Sequence, residues 1–149
     1  MPLLRVTLTP GAFDDRSKTA LVEALTDAAC RAEGIPDTPE RRSRALVLLD
    51  ELPPGGFSSA GQCADAVVAG VFIDWQVSAG VLDGARKEQF ARSVHAAVTE
   101  MAGTDRMAVT SCVIDEVPEG QWAQNGRIRR LPEVSRIAGF EHLHQLYDD

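Results

Sequence analysis

Cysteine, histidine and net positive charge are all scarce in this chain, and each shortage closes off a class of protein. Among 149 residues there are three cysteines and three histidines. Cys30, Cys63 and Cys112 are far apart and odd in number, which suits neither a disulfide framework nor a zinc knuckle. Cys30 falls in a helical pattern and Cys112 in a strand pattern, so both read as buried thiols. His142 and His144 form a pair without a third ligand, and His95 stands alone mid-helix, so no metal site and no cofactor is expected. No Ser/His/Asp or Cys/His set is recognisable for nucleophilic catalysis. The net charge of −7 opposes binding to phosphate backbones, so no nucleic-acid partner is expected. The two short basic runs, Arg41, Arg42, Arg44 and Arg127, Arg129, Arg130, read as solvated loops. One or two guanidiniums still suffice to hold a small acidic ligand bidentately. Long apolar stretches are missing too. None reaches the roughly 18 residues of a membrane span, and the opening MPLLRVTLTPG lacks the core and cleavage site of a secretory signal. A cytoplasmic protein with no membrane partner is the expectation.

What the chain does have is an internal duplication. Residues 2–11 read as a strand ending at Gly11. A helix follows, with Asp14 or Asp15 as its N-cap, Leu21, Leu25, Ala28 and Ala32 on its apolar face, and Gly34 after its end. RALVLLDEL (Arg44–Leu52) is the next strand, followed by PPGGFSSAG. The second half repeats this order: strand 67–77, Asp83 as cap, Phe90, Val94, Ala97 and Met101 on the helix, Gly103, strand Ala108–Val117, then PEGQWAQNG. Gly11 and Gly80, Leu21 and Phe90, Leu25 and Val94, and Gly34 and Gly103 are each 69 residues apart. Beyond the helix the offset drops to 65 and holds for Asp50 and Asp115, Pro53 and Pro118, Phe57 and Trp122, and Gly61 and Gly126. One length change of four residues in the loop after the helix explains the difference, and loops tolerate such changes.

Each half is therefore strand–helix–strand, which builds a parallel pair with a right-handed crossover. The fold class expected is α/β (α+β): two tandem β-α-β units in a four-stranded sheet with both helices on one face. The whole of 1–149 is one domain, with repeats at about 2–61 and 66–128 and a C-terminal tail at 131–149. The strands are almost continuously apolar, so the other sheet face is expected to be apolar and covered by copies of the chain.

The opening MPLLRVTLTPG and the two segments LLDELPPGGFSSAGQ and VIDEVPEGQWAQNGRI resemble the tautomerase superfamily, and 4-oxalocrotonate tautomerase in particular. The length and duplication resemble its fused, double-length branch, which includes cis-3-chloroacrylic acid dehalogenase and malonate semialdehyde decarboxylase. The resemblance implies a tautomerase/MIF-like fold, a homotrimer, and catalysis by an N-terminal proline exposed by removal of Met1. Carried over residue by residue, the catalytic position falls on Pro2 and the aromatic wall on Phe57 and Trp122. The dehalogenase's helix histidine falls on Ala29, its arginine pair in the Arg-free stretch DWQVSAGVL, and its water-activating glutamate on Gln124. The short tautomerases' arginines fall on Ala12, Leu46 and Ser111. Gln124 is no general base at neutral pH, so hydration and dehalogenation in the family's usual form lose their chemistry, and decarboxylation loses its carboxylate clamp.

Proton transfer by the amine itself survives these departures. Burial among apolar strands lowers an amine's pKa towards the working range of a base. At the first position of a strand, proline forfeits no ladder hydrogen bond, and its ring fixes the nitrogen. By the 69 offset the residue matching Pro2 is Val71, which is internal, so a single site is expected per chain. Its binding groups are expected from Phe57, Trp122, Gln124 and Arg127, while Trp75 reads as core. The expected function is keto–enol tautomerisation of a small 2-oxo or 2-hydroxy-alkenoic acid by Pro2. The alternatives are a Pro-dependent hydratase, dehalogenase or decarboxylase-type lyase, and a non-catalytic trimer of the same fold.

Overall fold

The computed structural model describes residues 2–146. The first repeat runs β1 (Leu3–Leu8), α1 (Asp15–Glu33), a single turn α2 (Pro39–Arg42), β2 (Leu46–Glu51) and a small hairpin of β3 (Ser58–Ser59) and β4 (Gln62–Cys63). The second runs β5 (Val68–Ser78), α3 (Gly84–Ala102), β6 (Met107–Val117) and a hairpin of β7 (Ala123–Gln124) and β8 (Arg127–Ile128). Helix α4 (Leu131–Ala138) and a 3-10 segment at Glu141–Leu146 complete it.

The sheet order is β2-β1-β5-β6. Parallel pairing joins β1 to β2 and β5 to β6, and antiparallel pairing joins the repeats through β1 and β5. Both long helices lie on one face and pack on each other, as two right-handed crossovers require. The duplication extends to single contacts. Asp14 caps α1 by accepting from Ser17 N at 2.7 Å, and Asp83 caps α3 by accepting from Arg86 N at 2.8 Å. Lys18 pairs with Glu51 in one repeat, as Lys87 does with Glu116 in the other. The hairpins turn at Ala60 and Asn125, with φ of 51° and 50°. The four extra residues of the first repeat are accounted for by α2, a helical turn inserted before β2.

Strand alternation fills the core. Leu4, Val6 and Leu8 of β1 and Val71, Ile73, Trp75 and Val77 of β5 point to the helices and meet Leu21, Leu25, Phe90, Val94 and Val98. On α3 the fully buried row is Phe90, Val94 and Val98, spaced by four. Ala97 and Met101, expected on that face, are only half-buried, because the row facing the sheet follows i+4 steps here rather than i+3. The opposite sheet face differs from the wholly apolar surface expected. It carries Leu46, Leu48 and Val113, each about half exposed, but also Arg5 beside Asp74, and Asp50 and Asp115. The apolar runs in sequence mislead here: in β1, β2 and β6, alternate residues face away from the core.

The tail is part of the fold. Phe140 is fully buried, as are Ser135 and Ala138. Glu141 N donates to Gly34 O at 3.0 Å, and His142 Nε2 donates to Val81 O at 2.7 Å. The chain beyond β8 is thereby drawn across the end of the sheet where β1 starts and β5 finishes.

Candidate active site

Pro2 precedes β1 and is buried. Its carbonyl accepts from Leu46 N at 2.9 Å, and Leu3 is flanked by Leu46 and Gln76. Pro2 therefore sits between the start of β2 and the end of β5. Met1, whose removal would free the Pro2 nitrogen, lies outside the described residues.

A pocket of about 120 Å³ opens at this same end of the sheet. Arg44, two residues before β2, and Ser78, the last residue of β5, form one side of it. Trp122, Gln124 and Asn125 of the second hairpin and Arg129 form another, and α4 roofs it with Val134, Ile137 and Ala138. Glycine at 139, with φ of +73°, lets the tail turn back, and the Arg41 guanidinium occupies the space a side chain would need there. Arg129 is held by Glu133 one turn along and Arg44 lies 3.9 Å from Glu40, while the Nε of each is buried without a hydrogen-bond partner. Buried donors of that kind are rarely left unmet in a finished site.

Of the residues expected from sequence, the fold brings Trp122 and Gln124 together in this pocket, at the end of the sheet that Pro2 enters. Arg127 stands exposed on β8, opposite Gln124, and does not line it. Phe57 lies near the other end of β1, its ring 5.7 Å from that of Phe72, the partner of Thr7. Within one chain it does not reach the pocket. Trp75 is fully buried, with its ring 4.2 Å from that of Phe90. The basic residues that do line the pocket, Arg44 and Arg129, belong to the two short runs read as solvated loops. Only the folding of α4 over both loops assembles them. Among the described residues, no three metal-ligating side chains converge. Cys30 is buried and Cys112 half-buried, and burial pushes both thiols up to about 11, away from a reactive thiolate.

Residues 2–66 match the family model of the tautomerase enzymes. No curated protein matches the chain in sequence. A solved structure of native fused 4-OT is 25% identical, with a TM-score of 0.68 over 85% of this chain and 94% of that one. N1, a member of the cis-3-chloroacrylic acid dehalogenase family, is 17% identical, with a TM-score of 0.67 over 99% of both chains. Macrophage migration inhibitory factor from Toxoplasma gondii is 18% identical, with a TM-score of 0.59 over 85% of this chain and 99% of that one. The first repeat thus matches the tautomerase model in sequence, and the chain as a whole shares the fold of the fused, double-length structures.

Proposed function

We propose that this chain is a cofactor-independent tautomerase in which Pro2, freed of Met1, uses its amine to move a proton on a small 2-oxo or 2-hydroxy-alkenoic acid. The observation that carries this reading is the pocket at the head of β1, walled by Trp122 and Gln124 and holding Arg44 and Arg129 with unmet Nε donors. A substrate carboxylate would pair with the guanidiniums of Arg44 and Arg129 in charge-assisted hydrogen bonds. The amine would then accept the enol O–H proton and return a proton to carbon, leaving the ketone. Gln124 cannot remove a proton from water, which favours isomerisation over hydration or dehalogenation. A homotrimer is part of this reading. Some solved structures of fused 4-OT are described as trimers, and Leu46, Leu48 and Val113 give the bare sheet face apolar surface to bury against other copies.

Intact mass and enol ketonisation test the proposal together. The expected results are a chain lacking Met1, measurable ketonisation of phenylpyruvate or 2-hydroxymuconate, and a loss of about 100-fold or more in Pro2→Ala, the scale of a positioned general base. Retained Met1, or ketonisation untouched by Pro2→Ala, overturns it.

A further inference from the structure

The walls of the pocket and its roof differ in chemistry. Arg44, Ser78, Gln124, Asn125 and Arg129 give the walls their polar groups, alongside the Trp122 ring. The roof is apolar. Val134, Ile137 and Ala138 stand at i, i+3 and i+4 on one face of α4, while Arg136 is exposed. Both ends of this roof are held in place. Leu131 N donates to Glu119 Oε2 at 3.2 Å, and the Leu131 side chain closes on Gly80, 3.4 Å from where a Cβ would stand. At the other end Gly139 N donates to Ser135 O at 2.7 Å, and Phe140 is fully buried.

Charge is supplied as unevenly as polarity. Among the described residues that line the pocket, Arg44 and Arg129 alone are charged. Each already faces a carboxylate, Glu40 at 3.9 Å from Arg44 and Glu133 one turn along from Arg129. The two guanidiniums can meet one further negative charge. A second one, lodged under the roof, would lose its water with no donor in exchange, which is costly for an ion. A neighbouring hollow shares Arg44 and Gln124 but is also lined by Glu40, so a carboxylate reaching that way meets a like charge. Size limits what remains. The pocket measures about 120 Å³, and a cavity of about 150 Å³ takes benzene.

Building on the proposed function, we infer that this pocket selects monocarboxylic acids with a short, uncharged apolar tail. The carboxylate lies on Arg44 and Arg129, and the tail lies under Val134 and Ile137. For the proposed reaction the substrate is then a 2-oxo or 2-hydroxy-alkenoic monoacid ending in an alkyl or aryl group, and its dicarboxylic relatives are disfavoured. The half-buried Val134 and Ile137 set this specificity, since each methylene they cover adds affinity that a charged tail would forfeit.

Binding without turnover tests this, with hexanoate and adipate as probes, which match in carbon count and differ in the second carboxylate. The readout is the 15N–1H indole signal of Trp122, which Trp122→Phe distinguishes from that of Trp75, the only other tryptophan. Hexanoate is expected to bind about tenfold more tightly than adipate, or better. Affinity should rise from acetate through butanoate to hexanoate, by up to about fourfold per buried methylene. Ile137→Ala should cut the hexanoate-to-acetate ratio about fivefold, and Ile137→Lys, which sets a cation under the roof, should turn the preference towards adipate. Equal affinity for the two probes in the native chain, a preference for adipate, or a Trp122 signal that none of the acids moves overturns the inference. So does a hexanoate-to-acetate ratio untouched in a folded Ile137→Ala chain. Should the variants fail to fold, the native-chain comparison decides. Retained Met1, or ketonisation untouched by Pro2→Ala, defeats the proposed function, whereas equal binding of both probes by a chain that ketonises through Pro2 defeats this inference alone.

Discussion

The hairpin after β2 and the hairpin after β6 correspond residue for residue, yet one holds Phe57 against Phe72 and the other holds Trp122 in a pocket. Ser59 and Gln124 are counterparts, as are Gln62 and Arg127. The difference comes from what lies beside each hairpin. The first runs on into β5, while the second is followed by α4, which folds over it and over the loop before β2. Duplication thus made the scaffold twice, and the unpaired segments, α2 and the tail, made the pocket once.

That contrast can be broken at three depths. The largest effect should come from detaching the tail. Phe140 is fully buried, and Phe140→Ala should cost about 3–5 kcal/mol of unfolding free energy, read by urea denaturation. A loss below about 1 kcal/mol would mean that the tail is not part of the cooperative unit. A smaller effect is expected from the pocket arginines. Arg129→Ala and Arg44→Ala should each raise KM for an enol acid about tenfold, the scale of one charge-assisted hydrogen bond, whereas Arg127→Ala should leave it unchanged. Equal effects at all three would place the carboxylate site elsewhere.

The smallest effect separates the two matching ion pairs. Glu51 accepts from Lys18 and also from Gly11 N at 2.8 Å, and these two contacts, the lysine first, hold its carboxyl below the ordinary value. Its contribution is therefore present above the unfolded pKa and is lost as pH falls through the lower, folded one. Glu116 has its lysine partner at 2.7 Å. Solvent screens both pairs, so Glu51→Gln should cost no more than about 1 kcal/mol, more than Glu116→Gln and with the gap closing in acid. Thermal melts at neutral and acid pH measure both, and a reversed order would deny the backbone contact its role.

Much of this was legible in the residues. Glycine and aspartate punctuation at fixed offsets marked out both β-α-β units, the cap at Asp83 and the extra loop residues that became α2, and narrowed the first cap to Asp14 or Asp15, of which the structure uses Asp14. Pro2, Trp122 and Gln124 could be singled out only through the resemblance to the tautomerases, carried over residue by residue. Arg44 and Arg129 could not, since a basic residue in a polar loop carries the same local signal whether solvated or turned inward.

The sequence by itself determined the duplication, the order and type of the main elements and the single proline at the chain's head, because periodicity and backbone punctuation are local properties. Only the tertiary structure decided which end of the sheet is roofed and which two arginines line the pocket beneath that roof. Those are contacts between segments far apart in the chain, and no local preference encodes them.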